Sequence, residues 1–225
     1  MFYALRESYE KELVHLHRFI SPGMVVIDGG ANCGIYTVLA ARLVGPSGLV
    51  LSFEPASEAF SVLERNVCLN GLRNVQAYQT ALSDREEETE LYHHEPGSNS
   101  FSLGSSGTMG VRSERVSTRT LGNVLREESI DRVGFIKLDV EGAEELALRG
   151  AEGVITYCHP TIIFEMNASA AKRLRLSPSG SWGLLEGWGY KFFFLNEFGH
   201  LCRMREPPPS IYPANIVAVH SDGLK

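Results

Sequence analysis

Phe135-Ile136-Lys137-Leu138-Asp139-Val140-Glu141-Gly142 places a charged residue at every second position of an otherwise apolar run. In an extended strand that spacing puts Lys137, Asp139 and Glu141 on one side and Ile136, Leu138 and Val140 on the other. Charges in a strand covered on both faces are costly unless they are paired or used. The run therefore implies either a structural ion pair, Lys137 with Asp139 or Glu141, or groups that give and take protons at the carboxyl end of a sheet. Glu165 ends the apolar run Thr161-Ile162-Ile163-Phe164 and repeats the pattern, with Asn167 just beyond it. Lys137, Asp139, Glu141 and Glu165 are the candidate catalytic residues.

A second constellation lies upstream. Met24 to Ile27 is apolar and runs into Asp28-Gly29-Gly30-Ala31-Asn32-Cys33-Gly34, after which helical periodicity begins. Glycines at a strand-to-helix turn let backbone come close to a ligand, and the helix start offers free N–H groups. Asp28 would repel a pyrophosphate but attract an ammonium or sulfonium. Glu54 closes the next apolar run, Leu49 to Phe53, where an acid typically accepts the hydroxyls of an adenosine ribose. Thr80-Ala81-Leu82-Ser83-Asp84 offers backbone and short polar groups to an adenine edge. These features suit a nucleoside ligand. A nicotinamide-dependent oxidoreductase would use the same loop and Glu54, and a non-catalytic nucleoside-binding regulatory module would use the same pocket.

Elements must position these residues. Leu5, Tyr9, Leu13, Leu16 and Ile20 recur at helical spacing, predicting an N-terminal helix over 3–20 that stops at Pro22-Gly23. Strands are expected at 24–27, 49–53 and 75–79, with helices at 34–44 and 57–70 between them. The rhythm then breaks. Residues 84–90 are acidic and read as solvated, 91–94 as a short strand, 95–110 as a mobile loop, and 115–118 as an edge strand. A helix at 121–128 follows, then strands at 135–139 and 161–164 around a helix at 143–149. A helix at 181–187 precedes strands at 190–195 and 216–220. Alternating βα units interrupted by one excursion, residues 85–120, predict a single α/β domain with a doubly wound, mostly parallel sheet and helices on both faces.

The chain has 225 residues, 44% hydrophobic and 21% charged, the balance of a globular protein. Its net charge is −6, and no basic stripe exceeds Lys172-Arg173-Leu174-Arg175, so nucleic acid is not an expected partner. No apolar run reaches the roughly 18 residues of a membrane span. Glu7, Glu10 and Glu12 interrupt the N-terminus where a signal peptide would be apolar. The four cysteines show no Cys-x-x-Cys spacing and read as reduced thiols of a cytoplasmic protein. His15 and His17 point to different helix faces, and His93-His94 lacks a partner at ligand spacing, so neither reads as a metal site.

Four motifs in order, Val26 to Gly34, Phe53-Glu54-Pro55, Ala81-Leu82-Ser83-Asp84 and Ile136 to Glu144, resemble the FkbM-family methyltransferases. The resemblance implies a seven-stranded, Rossmann-like class I methyltransferase fold. It also implies S-adenosylmethionine as donor, S-adenosylhomocysteine as product, and a hydroxyl acceptor on a sugar, polyketide or related small metabolite. It assigns Asp28, Gly29, Gly30, Ala31, Asn32, Gly34, Tyr36 and Thr37 to the methionine part, Glu54 and Pro55 to the ribose, and Ala81, Leu82 and Ser83 to adenine. Lys137, Asp139 and Glu141 would face the methyl group and the acceptor, with Asp139 also touching the cofactor. In a variant of this reading, Asp139, Glu141 and Glu165 hold a divalent cation. Residues 95–110 would form a lid over the acceptor.

Overall fold

The computed structural model describes residues 11–93, 101–103, 112–209 and 213–224. Residues 3–10 of the expected N-terminal helix lie outside them. The described part is shorter than a continuous helix: α1 (Lys11–Val14) gives way to a 3-10 turn over Leu16–Arg18. A four-residue helix cannot sustain itself in water, and burial of Leu16 and Ile20 in the core holds this segment in place.

The chain then builds β1 (Val25–Gly29), α2 (Ile35–Val44), β2 (Leu49–Phe53), α3 (Ser57–Leu69) and β3 (Val75–Tyr78). An excursion follows with β4 (Ala81–Leu82), β5 (Glu88–His93), β6 (Phe101–Leu103) and β7 (Ser113–Arg119). The second half supplies α4 (Leu121–Glu127), β8 (Phe135–Leu138), α5 (Glu144–Gly150), α6 (Glu152–Cys158), β9 (Thr161–Met166), α7 (Ala168–Arg173), α8 (Gly180–Gly187), β10 (Tyr190–Leu195), β11 (Leu201–Met204) and β12 (Ala214–His220).

The main sheet runs β11-β10-β12-β9-β8-β1-β2-β3. It has eight strands where seven were expected, because β11 folds back on β10 as an antiparallel hairpin at the edge. The five strands from β3 to β9 are parallel, and β12 joins β9 antiparallel. Successive strands move one way from β1 to β3, then reappear on the other side of β1 as β8. The β1/β8 boundary is thus a topological switch point, where sheets of this kind leave a crevice at the carboxyl ends.

Helices cover both faces. Ile27, Leu51, Ile136, Leu138, Ile162 and Phe164 pack against α4, α5, α6 and α8. Val26, Val50, Phe135 and Ile163 pack against Tyr36, Ala40 and Val44 of α2 and against Leu16 and Ile20. The odd and even positions of each central strand serve different cores, so Val25–Ile27, Leu49–Leu51, Phe135–Ile136 and Ile162–Phe164 are all apolar.

The excursion forms a second sheet, β4-β7-β5-β6. β7 lies between β4 and β5 and is no edge strand; its Val116, with Leu91 of β5, packs on Ala56 and Ala59 at the start of α3. β5 begins at Glu88, inside the stretch read as solvated, because alternate residues of an acidic strand can face water while Leu91 is buried. Of the stretch read as a mobile loop, 101–103 pairs with β5 as β6; the rest lies outside the described residues. Among the described residues, no helix is long and apolar enough to cross a membrane.

Candidate active site

Strand register places Ser52 of β2, Asp28 of β1 and Lys137 of β8 side by side on the α2 face. Thr37 of α2 donates its hydroxyl to Asp28 Oδ2 (2.6 Å) and shares a hydrogen bond with Ser52 Oγ (2.8 Å). Lys137 Nζ lies 3.8 Å from Asp28 Oδ1 and 3.6 Å from Asp139 Oδ2, donates to the Gly30 carbonyl (3.0 Å) and stands 4.9 Å from the centre of the Tyr36 ring. Asp28, Thr37 and Ser52 are almost completely buried, and Lys137 nearly so. Burial pushes the Asp28 carboxyl up, and Lys137 and the Thr37 hydrogen bond oppose that rise. Asp28 and Thr37 thus lie beneath the glycine loop instead of lining it. Lys137 ties the two strand tips to the loop. The ion pair weighed for Lys137 from sequence exists, with Asp139 and with Asp28.

Above this row the chain turns tightly. Gly30 and Gly34 have φ of +73° and +86°. A Cβ on Gly30 would stand 1.8 Å from the Asp139 carbonyl oxygen, and one on Gly34 would stand 2.5 Å from Leu63 Cδ1 of α3. The close approach that needs glycine at both positions is therefore to protein. Glu54 is a clasp: Oε2 accepts Asn32 N–H (2.8 Å) and Oε1 accepts Ala56 N–H (2.9 Å). Burial raises its carboxyl, and these two backbone donors partly offset the rise. Ala81 and Leu82 are in a parallel ladder with β7, Ser83 N–H is bonded to the Arg119 carbonyl, and Leu82 sits in the core. Gly30, Asn32, Pro55 and Asp139 remain partly open at the switch point.

The alternation expected through Glu141 does not occur. β8 ends at Leu138, and Glu141 (φ +54°) and Gly142 (φ +99°) turn the chain into α5. The chain turns here because the glycine loop packs on the Asp139 carbonyl and Gly142 against the Ala170 backbone. Lys137, Asp139 and Glu141 consequently do not share one strand face. Glu144, one turn on, enters instead: its buried Oε1 accepts the N–H groups of Val140 (2.9 Å) and Gly142 (3.3 Å).

Carboxylate oxygens of Asp139, Glu144 and Glu165 lie within 4.8 Å of one another. Burial lifts Glu144 to about 7, against the pull of its backbone donors. Burial, then repulsion from Asp139, Glu144 and Glu141, lifts Glu165 to about 8. Glu165 Oε2 is shielded from solvent without a hydrogen-bond partner. Glu165 thus keeps its proton at neutral pH, and the cluster can store or release one proton near that range.

A carboxyl whose folded value is raised contributes stability that is complete below its unfolded value and is lost as pH rises through the folded one. Stability should therefore fall between about pH 4.5 and about pH 8 on account of Glu144 and Glu165. Glu165→Gln should flatten that fall. Urea midpoints across the range check this, and an unchanged slope in the variant would refute it.

The model of the methyltransferase FkbM domain matches residues 28–200, well over half of the chain. The chain belongs to the FkbM methyltransferase family. Relatives include Methyltransferase 1 of Beauveria bassiana, 32% identical over an alignment of 146 positions that covers 56% of this chain and 58% of that protein. The 31-O-demethyl-FK506 methyltransferase FkbM of Streptomyces tacrolimicus is 27% identical over 161 residues, covering 59% of this chain and 61% of that protein. The match thus spans about three fifths of each relative's length. A crystal structure of a SAM-dependent methyltransferase from Aquifex aeolicus superposes with a TM-score of 0.52 at 16% identity, over 96% of this chain and 93% of that one, which shows a shared fold.

In this FkbM-family chain the glycine loop, Glu54, Lys137, Asp139 and Glu165 all lie at the carboxyl ends of the central strands, around the switch point. Glu144 closes the fourth motif, and its role emerges only from the fold. Its signal was an acid two residues after the Glu141-Gly142 turn, where it can cap the N–H groups that the turn leaves free. Asp28 does not decide the ligand as sequence suggested, because Lys137 neutralises it in the interior.

Proposed function

We propose that this chain transfers a methyl group from S-adenosylmethionine to a hydroxyl oxygen of a small metabolite. The observation that carries the reading is the Asp139–Glu144–Glu165 cluster placed directly against the glycine loop at the β1/β8 switch point. Asp28 balances Lys137, and Glu54 and Asp139 beside it leave acidic charge in excess, which suits a sulfonium better than a pyrophosphate. The half-open backbone at Gly30 and Asn32, with Glu54 beneath it, would hold the methionine and ribose parts. The relative named for methylating an oxygen of FK506 supports the choice of a hydroxyl.

When bound, S-adenosylmethionine supplies an already electrophilic methyl group, so positioning carries most of the catalysis. The acceptor hydroxyl must lose its proton as its oxygen bonds to carbon. Asp139 and Glu165 are the partly open members of the cluster; Asp139 takes the proton and passes it to Glu165 once Glu165 has given up its own, as pH rises through about 8. A cavity of about 340 Å³ beyond the carboxyl end of β9, lined by Met166, Ala168, Pro178, Ser179, Glu206 and Pro207–Pro209, offers a mixed apolar and polar wall to the rest of the acceptor. The convergence of three carboxylates also favours a second reading, in which a divalent cation there acidifies the hydroxyl. Glu144 then takes the place expected of Glu141.

Calorimetric titration with S-adenosylhomocysteine tests the donor site. Micromolar binding is expected, weakened at least about tenfold by Glu54→Ala, which frees the N–H groups of Asn32 and Ala56. NAD should not bind. Binding of NAD alone would overturn the reading. Transfer of a labelled methyl group to hydroxylated acceptors tests the chemistry, and label appearing only on nitrogen or carbon would exclude O-methylation.

A further inference from the structure

The second sheet meets the carboxyl ends of β2 and β3 through β7. Register sets Glu114 opposite Leu91, and Val116 follows two residues on, so all three face the start of α3, where Leu91 and Val116 pack on Ala56 and Ala59. α3 follows directly on the Glu54-Pro55 turn, and its N-cap position is held by Ala56, which has no side-chain acceptor to offer. The first N–H groups of a helix need partners from elsewhere. Two carboxylates supply them in succession: Glu54 Oε1 accepts Ala56 N–H (2.9 Å) and Glu114 Oε2 accepts Ser57 N–H (3.2 Å).

The Ser57 hydroxyl also donates to Glu114 Oε2 and accepts from Gln79 Nε2 (3.0 Å). Gln79 lies just beyond β3 and leads into Thr80-Ala81-Leu82-Ser83. Further along β7 the grip falls on that segment itself. The Ser117 carbonyl accepts the Thr80 hydroxyl (2.8 Å), Ser117 Oγ donates to Thr80 Oγ1 (3.1 Å), and Thr118 and Arg119 pair with Ala81 and Leu82. One strand therefore holds both the turn that carries Glu54 and the segment after β3. Those two stretches are the ribose and adenine walls of the donor site proposed above.

We infer that Glu114 is a positioning residue for the donor nucleoside, acting through Ser57 and Gln79 to fix the Glu54 turn against the segment after β3; the inference rests on the reading of this site as a pocket for S-adenosylmethionine. Glu114 touches no donor atom in this role. Its carboxylate sits at the positive end of the α3 dipole, which strengthens its hold on Ser57. Glu54 is itself held by Ala56 N–H, one residue before Ser57, so a loosened Ser57 is felt at the Glu54 carboxylate. A binding constellation loses strength once its members stray by roughly half an ångström. The excursion thus shapes the donor side of the site.

The test titrates the full chain calorimetrically with S-adenosylhomocysteine and with 5′-methylthioadenosine, which keeps the nucleoside and lacks the amino-acid part. Glu114→Ala should weaken both by about fivefold, the factor that a lost helix cap of ordinary strength gives, with stoichiometry still one per chain. Glu114→Gln, whose amide oxygen can still accept from Ser57, should recover most of that loss. The losses in Glu114→Ala and Ser57→Ala should not add in the double variant, because one contact underlies both. Loss of S-adenosylhomocysteine affinity with methylthioadenosine unaffected would overturn the inference. So would a Glu114→Ala variant that lowers only the stoichiometry or the melting temperature and keeps the native Kd, since Glu114 would then serve folding alone. If the native chain bound neither compound, the donor reading itself would fall, and this inference with it.

Discussion

Lys137→Met should destabilise the protein by about 3–5 kcal/mol at pH 8, the usual consequence of removing one partner of a buried ion pair. Methionine fills similar space, so the loss is electrostatic. Asp28 would keep its hydrogen bond from Thr37 but lose the cation beside Oδ1, an oxygen shielded from solvent without a hydrogen bond. The Gly30 carbonyl would lose its donor as well. The sign with pH follows from Asp28. Its folded carboxyl already lies above the ordinary value of 3.8, because burial outweighs Lys137. Without Lys137 it rises further, so the protonated form carries the folded state. The gap between variant and native protein should be small near pH 4 and widen as pH rises. Lys137→Met with Asp28→Asn should recover much of the loss, since asparagine can still accept from Thr37. Urea denaturation at several pH values checks this, and a single variant within about 1 kcal/mol of native at pH 8 would show that the pair matters little.

Asp139→Asn should lower kcat by about 10²- to 10⁴-fold, the range for removing a general base, while S-adenosylhomocysteine affinity stays within a few-fold. This follows because its carboxylate is partly open, while its main-chain carbonyl holds the residue against the loop. The pH profile separates Asp139 from Glu165. With Glu165 as the onward proton acceptor, kcat should climb as pH rises through about 8, where Glu165 gives up its proton. In Glu165→Gln that limb should disappear. If Asp139→Asn turned over at the native rate with saturating donor and acceptor, the hydroxyl proton must leave by another route. A parallel fall in affinity and kcat would make Asp139 a cofactor contact only. Activity restored or abolished by divalent cations and chelators would favour the cation reading of the same cluster.

Much of the main sheet was legible because its strands are buried on both faces, and such strands are continuous apolar runs bounded by turn residues. The boundaries of β2, β10 and α3 fell within a residue of those read from sequence. α6, α7 and β11 were not read. α6 is separated from α5 by Ala151 alone, α7 is six residues long, and β11 is a partly exposed edge of alternating character. Segments so short carry too few residues for a period to emerge.

Residue types and order by themselves determined which groups would meet: a glycine turn after the first strand, an acid after the second, and a charged tip on a central strand all arrive at one switch point once the strands are parallel. Only the tertiary structure decided what each group does there. Periodicity assumes that a strand continues, and it put Asp139 and Glu141 on a common face; packing of Gly30 on the Asp139 carbonyl and of Gly142 on α7 ended the strand at Leu138 and brought Glu144 into the cluster instead. The facing of Asp28 and Lys137 is a matter of register between strands more than a hundred residues apart in sequence. The same holds for Glu114 and Ser57, whose contact arises because β7 lies between β4 and β5 against the start of α3, an arrangement of distant segments that no local pattern encodes.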